Sequence, residues 1–192
     1  MGINISIELP RPLGRKLYLA SQVDQESMNK LSKAILNIND SDEELIKLYA
    51  VYGMEYKPCP IEIYIDSYGG AVYNCMGLLG VMNTSKVPVH TIATGAAMSC
   101  GFMILIHGHK RFGYEHSTPM YHQVSTGFSG KIKDMEEDYQ ETKRLQKKFE
   151  KLTLQKTRIP KEKLGEILKS KHDWFMDASE ALGYGVIDEI IK

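Results

Sequence analysis

The chain has 192 residues, enough for a single domain over 1–192 that buries about 70% of its unfolded surface. It is 43% hydrophobic and 25% charged, and its basic and acidic residues balance to a formal net charge of zero. That composition belongs to a soluble globular protein. It excludes the basic footprint of a general nucleic-acid binder, and no run approaches the ~18 apolar residues of a membrane helix. A neutral chain also resists self-association weakly, a hint toward an oligomer. The three cysteines, Cys59, Cys75 and Cys100, have no CxxC spacing and cannot all pair. A reduced, cytoplasmic compartment is the expectation.

Along the chain, the start from Met1 to Glu8 lacks a basic region followed by an apolar run, so it is not a signal peptide. Ile3, Ile5 and Ile7 alternate as a short strand would, and Arg15–Leu19 is a second candidate. Asp24–Ile38 places Met28, Leu31, Ala34, Ile35 and Ile38 at helical spacing. Asn39–Glu44 is polar and reads as a turn, Glu44–Tyr52 as a further helical piece, and 53–60 as irregular. Ile61–Ile65 is a β-branched strand running into Gly69-Gly70, and Ala71–Met82 is helical. Val87–Ala93 is the next strand, Ser99–His107 a buried apolar helix, and 111–114 and 120–124 are short strands. Ser129–Lys156 is one charged helix of about 28 residues, ~42 Å long, stopped before Pro160. Two short helices and a closing strand over 186–191 follow. Strands alternating with helices argue for an α/β fold.

The most informative stretch is Thr94-Gly95-Ala96-Ala97-Met98-Ser99-Cys100-Gly101. A serine on a tight turn between strand and helix is one way a hydrolase exposes a nucleophilic hydroxyl beside free backbone N–H groups. Acyl transfer also needs a base, a group that orients the base, and donors for the oxyanion. His122, on a short strand, could be the base, and Asp173, beside Trp174 and Phe175, the orienting carboxylate. The N–H groups of Gly70 and Cys100 could form the oxyanion hole. Each part has a bland alternative: a hydrogen-bonded strand histidine, an N-cap aspartate, a plain Gly-Gly turn. Spacing alone does not bring three distant residues together. His107-Gly108-His109 is too sparse for a metal site, so neither a metal nor a cofactor is expected.

Segment by segment, 61–188 resembles the proteolytic subunit of the Clp protease, a serine peptidase family. Asp66-Ser67-Tyr68-Gly69-Gly70-Ala71-Val72 resembles its N-S-P-G-G-x-V loop, and Gly95–Gly101 its G-x-A-A-S-M-G turn. Lys110-Arg111-Phe112 resembles the basic pair before its next strand. Met120-Tyr121-His122-Gln123 resembles M-I-H-Q, and the Gly127 and Gly130 region the glycine-rich approach to its handle helix. Asp173–Ala181 resembles R-D-x-F-M-S-A-x-E-A, and Tyr184–Asp188 resembles Y-G-L-I-D.

The resemblance implies a repeated ββα core shared with crotonases and a protruding handle helix, with a head over about 1–122 and 157–192 and a handle over about 123–156. It implies that Ser99, His122 and Asp173 are the triad and that Gly70 and Cys100 supply the oxyanion hole. Extended substrates would lie beside Gly69, Ala71 and Val72 on one edge and Val124, Ser125 and Thr126, continuing to Phe128, on the other. It further implies a homo-oligomer of stacked seven-membered rings, unfolded or short polypeptides as substrates, and an AAA+ ATPase unfoldase as partner. Tyr68 stands where the family has proline and Cys75 where it has a helix glycine. Residues 1–14 do not resemble the axial segment that meets the ATPase, and Asn39–Pro60 is longer than the usual connection. These departures fit a divergent branch such as phage-encoded relatives, including one that trims capsid proteins. Two other functions remain open on the residues: a non-catalytic ring subunit or scaffold, and a crotonase-type acyl-CoA hydratase or isomerase. The second needs carboxylates near the acyl oxygen, and Asp66 is the acid near Gly70 and Ser99.

Overall fold

The structure is a computed structural model and describes residues 10–127 and 129–192. The expected strand at Ile3–Ile7 and the Phe128 end of the substrate edge lie outside those residues. Among the described residues, seven strands form one mixed sheet. They are β1 (Lys16–Leu19), β2 (Ile61–Ser67), β3 (Val89–Met98), β4 (Lys110–Tyr114), β5 (Thr118–Tyr121), β6 (Trp174–Phe175) and β7 (Glu189–Ile191). The path β1-β2-β3-β4-β7 is parallel throughout. Parallel neighbours need crossovers, and α1 (Gln25–Val51), α2 (Val72–Thr84) and α3 (Cys100–Ile106) supply the first three. The α/β class follows.

The sheet forks at β3. Its first half pairs with β4 at His90–Ala93, and its second half pairs with β5 at Ala96–Met98. The core is built from alternating Ile61, Ile63 and Ile65 of β2, from Leu78, Leu79 and Met82 of α2, and from every residue of α3, all buried. The expectation of a buried helix after Ser99 is met residue by residue.

The polar stretch 39–44 does not break the first helix. α1 runs unbroken over 27 residues from a capping box in which Asp24 and Ser27 serve each other. Asn39 and Asp42 are buried because they have partners. The Asn39 amide oxygen accepts from the Lys86 N–H at 2.8 Å and its nitrogen donates to the Ile35 carbonyl. Asp42 holds Arg15 in a two-pronged ion pair, with Tyr56 bonded to both. Polar residues that read as solvent-seeking are inward-facing clamps.

α4 (Ile132–Lys156) starts three residues later than expected, and α5 (Lys161–Ser170) and α6 (Ala178–Gly183) follow. Arg111 of β4 joins the C-terminal parts. Its guanidinium forks onto Asp188 and donates to the carbonyls of Lys156 and Gly185. No helix among the described residues is long and apolar enough to cross a membrane.

Candidate active site

Strand register brings the three motif residues together. Met98 pairs with Met120, so Ser99 and His122 leave the ends of adjacent parallel strands. Tyr121 pairs antiparallel with Trp174, so the next residues outward, His122 and Asp173, face each other. The connection expected between a strand ending at Ala93 and a helix starting at Ser99 is shorter than that: β3 continues through Met98, and Ser99 alone makes the junction with α3. His122 sits just beyond the end of β5, not within a strand, which frees its ring to reach across.

Ser99 has φ +53° and ψ −118°, outside the helix and strand basins. Such a backbone costs on the order of 1–3 kcal/mol and needs bracing. Its N–H donates to the Met120 carbonyl at 3.0 Å and its C=O accepts from Met103 at 3.1 Å. The result aims Ser99 Oγ at His122 Nε2, 2.8 Å away. His122 Nδ1 lies 3.4 Å from Asp173 Oδ1, with the aspartate side chain half exposed. With the proton on Nδ1, the ring presents Nε2 as acceptor to the serine hydroxyl.

The glycine pair is fixed from two sides. Val23 donates to the Gly69 carbonyl at 2.8 Å and accepts from the Ala71 N–H at 2.7 Å. Those groups of Gly69 and Ala71 are therefore taken up by Val23. A Cβ on Gly69 would sit 2.7 Å from Ser99 Cβ, and one on Gly70 would sit 2.3 Å from the Val23 carbonyl oxygen. Both glycines also hold positive φ, which favours glycine. Cys100, one residue past Ser99, is buried and its thiol donates to the Gly70 carbonyl at 3.3 Å. Cys75 donates in turn to the Cys100 carbonyl at 3.6 Å. The neighbouring Cys75 thiol holds the Cys100 thiol below its ordinary pKa against burial. The hydrogen bond to Cys100, with burial, pushes the Cys75 thiol well up.

One hollow collects Gly70, Val72, Ser99, His122, Val124 and Ser125, lined further by Met103, Tyr121 and Phe149. Thr126 lines an adjoining hollow that also holds His122 and Asp173. The motifs do not mark Val23, Met103, Tyr121 or Phe149 as site residues. Phe149 carries a faint signal, a large ring within a charged helix. Val23 acts through its backbone and carries none. Burial pushes the Tyr121 phenol up to about 12, against the hydrogen bond from Gln146, so it stays neutral.

Two other polar features are structural. Asp66 accepts from the Ala96 N–H at 2.9 Å and packs against Gly95. His107 is buried and bonded to the Met103 carbonyl, while His109 accepts from the Val89 N–H. Among the described residues, no group of three potential metal ligands assembles.

The family model "Clp protease" matches residues 13–192. The chain belongs to the Clp protease family. Membership carries serine-type peptidase activity. The chain is 31% identical to an ATP-dependent Clp protease proteolytic subunit of Deinococcus radiodurans over 92% of its own length and 80% of that protein's. It is 31% identical to one from Porphyromonas gingivalis, covering 94% of this chain and 75% of the relative. The same identity, 31%, relates it to proteolytic subunit 2 of Bacillus licheniformis, over 92% of this chain and 86% of the relative.

Proposed function

We propose that this Clp-family chain is a serine endopeptidase that uses Ser99, His122 and Asp173 on unfolded or short polypeptides. The 2.8 Å contact between Ser99 Oγ and His122 Nε2, at a backbone strained into place, carries the reading. In this mechanism Ser99 attacks the scissile carbonyl as His122 takes its proton. The oxyanion is met by the N–H groups of Gly70 and Cys100. His122 then gives its proton to the leaving amine, and water releases the acyl group by the same steps reversed. Asp173 stabilises the imidazolium from Nδ1. Its half-exposed position and 3.4 Å separation leave room for tightening when substrate excludes water.

Substrate lies extended between Gly70–Val72 and Val124–Thr126. The uptake of the Gly69 and Ala71 groups by Val23 leaves Gly70 and Val72 as the partners on the first edge. The relatives named above are subunits of an ATP-dependent protease, which supports assembly into stacked, seven-membered rings with α4 as the handle and an AAA+ unfoldase as partner. A cytoplasmic setting fits three free cysteines, two of them buried. The hydratase reading loses its acid, since Asp66 is spent on the Ala96 N–H.

Ser99→Ala tests the assignment. It removes the nucleophile without adding bulk. Cleavage of a fluorogenic peptide and labelling by a fluorophosphonate both vanish while the circular dichroism spectrum is kept. Wild-type cleavage by that variant would end the triad assignment.

A further inference from the structure

α4 carries many charged side chains, yet Gln146 in its middle is buried. A buried amide is tolerated when both of its ends are bonded. Gln146 meets that condition with unusual placement. Its Oε1 accepts from the Val124 backbone N–H at 2.8 Å, and its Nε2 donates to the Tyr121 hydroxyl at 3.3 Å. Those two partners bracket His122, one residue before it and two after.

The bracket matters because little else holds this segment. β5 ends at Tyr121, and residues 122–127 have no regular secondary structure. Among the described residues, Val124 to Gln146 is the one main-chain hydrogen bond made by 122–127. The His122 ring itself touches Ser99 and the half-exposed Asp173. Tyr121, by contrast, is firmly seated, buried with its ring edge-on to Phe102 at 5.6 Å. Gln146 therefore ties a loose segment to a fixed point, with His122 between. Catalytic geometry is sensitive at this scale: a shift of about 1 Å in a reacting group can cost roughly 100-fold in rate.

We propose that Gln146 is a positioning residue that holds His122 against Ser99 by clamping Tyr121 and Val124 to α4. The role rests on the triad reading given above. Gln146→Leu keeps the side-chain bulk and removes both hydrogen bonds. Its expected effect is a fall in kcat of about tenfold or more on a short fluorogenic peptide, with a matching fall in the fluorophosphonate labelling rate of Ser99. Labelling needs the serine activated but needs no extended substrate, so it separates this role from a lost substrate edge. Gln146→Glu rescues, because a carboxylate accepts from both the Val124 N–H and the Tyr121 hydroxyl. Tyr121→Phe removes one half of the clamp and falls between Gln146→Leu and wild type. Should Gln146→Leu fail to fold, the Gln146→Glu and Tyr121→Phe pair decides the matter by the same labelling rate.

Labelling at the wild-type rate in Gln146→Leu overturns the proposal, as does a Gln146→Glu variant no faster than Gln146→Leu. Ser99→Ala and His122→Ala run alongside. If those two lose activity while Gln146→Leu keeps it, the clamp alone is wrong. If they keep activity, the triad reading is wrong and the clamp falls with it.

Discussion

Ser99 takes a backbone conformation that its own Cβ makes costly, and the surrounding atoms explain how it persists. Met120 and Met103 hold its two main-chain groups, and Gly69 leaves the space its side chain needs. Part of this was legible in the sequence: a serine among small residues, a glycine pair before it, a histidine and an aspartate after it in family order. The strand register that gathers them was not, because pairing is decided by contacts far apart in the chain. Nor was the bracing by Val23, which acts through main-chain atoms and so leaves no trace in residue type. His107 is a second residue whose setting has a measurable consequence. Burial first, against the Met103 carbonyl, lowers its pKa to about 4. The unfolded histidine, near 6.5, binds a proton more readily than the folded one, so His107 costs stability as pH falls through that window. Between about pH 7 and about pH 5 the loss assigned to His107 is about 2 kcal/mol. Urea titrations at the two pH values should show His107→Gln, which can still donate to Met103, losing that much less than wild type. An equal loss in both proteins would place the acid sensitivity elsewhere.

At the scale of elements, helices and strands with regular apolar spacing were readable, and the exceptions share one cause. Asn39 and Asp42 looked like a turn because their polarity suggested solvent. Tertiary partners reversed that preference, and α1 continues past them toward the long 53–60 connection. β6 was missed because two residues carry no period. The Arg15–Asp42–Tyr56 cluster gives the corrected helix its test. Asp42 is almost fully buried, its side chain 3% exposed, and Arg15 is nearly so. Removing one member of a buried pair leaves a charge without its counterion and costs about 3–5 kcal/mol. Asp42→Ala should therefore lower the denaturation midpoint sharply. The double variant Arg15→Leu with Asp42→Leu should recover much of that loss, since apolar replacements of a whole pair are often close to neutral. A double variant no more stable than Asp42→Ala would assign the burial cost to shape, not to charge.

For the whole molecule, alternating strands and helices indicated an α/β protein, and the family comparison agrees. One of the surfaces the chain leaves open to neighbours is on α4. Its first half buries no side chain, and Ile132 and Tyr139 stand 80% and 51% exposed there. Native mass spectrometry of the purified protein should find it as a multimer, and a stable monomer at micromolar concentration would contradict the proposed rings. The same helix has a mechanical character. Its buried stripe is confined to Leu145, Gln146, Phe149 and Thr153, so the thirteen residues before them form an arm about 20 Å long, braced from the side where Tyr73 meets Glu141. Arg111 grips the far end through the Lys156 carbonyl. An arm rooted at one end and loaded at the other turns about its support. Here the support includes Gln146, so the root of the arm and the loop that carries the histidine are joined by one hydrogen bond.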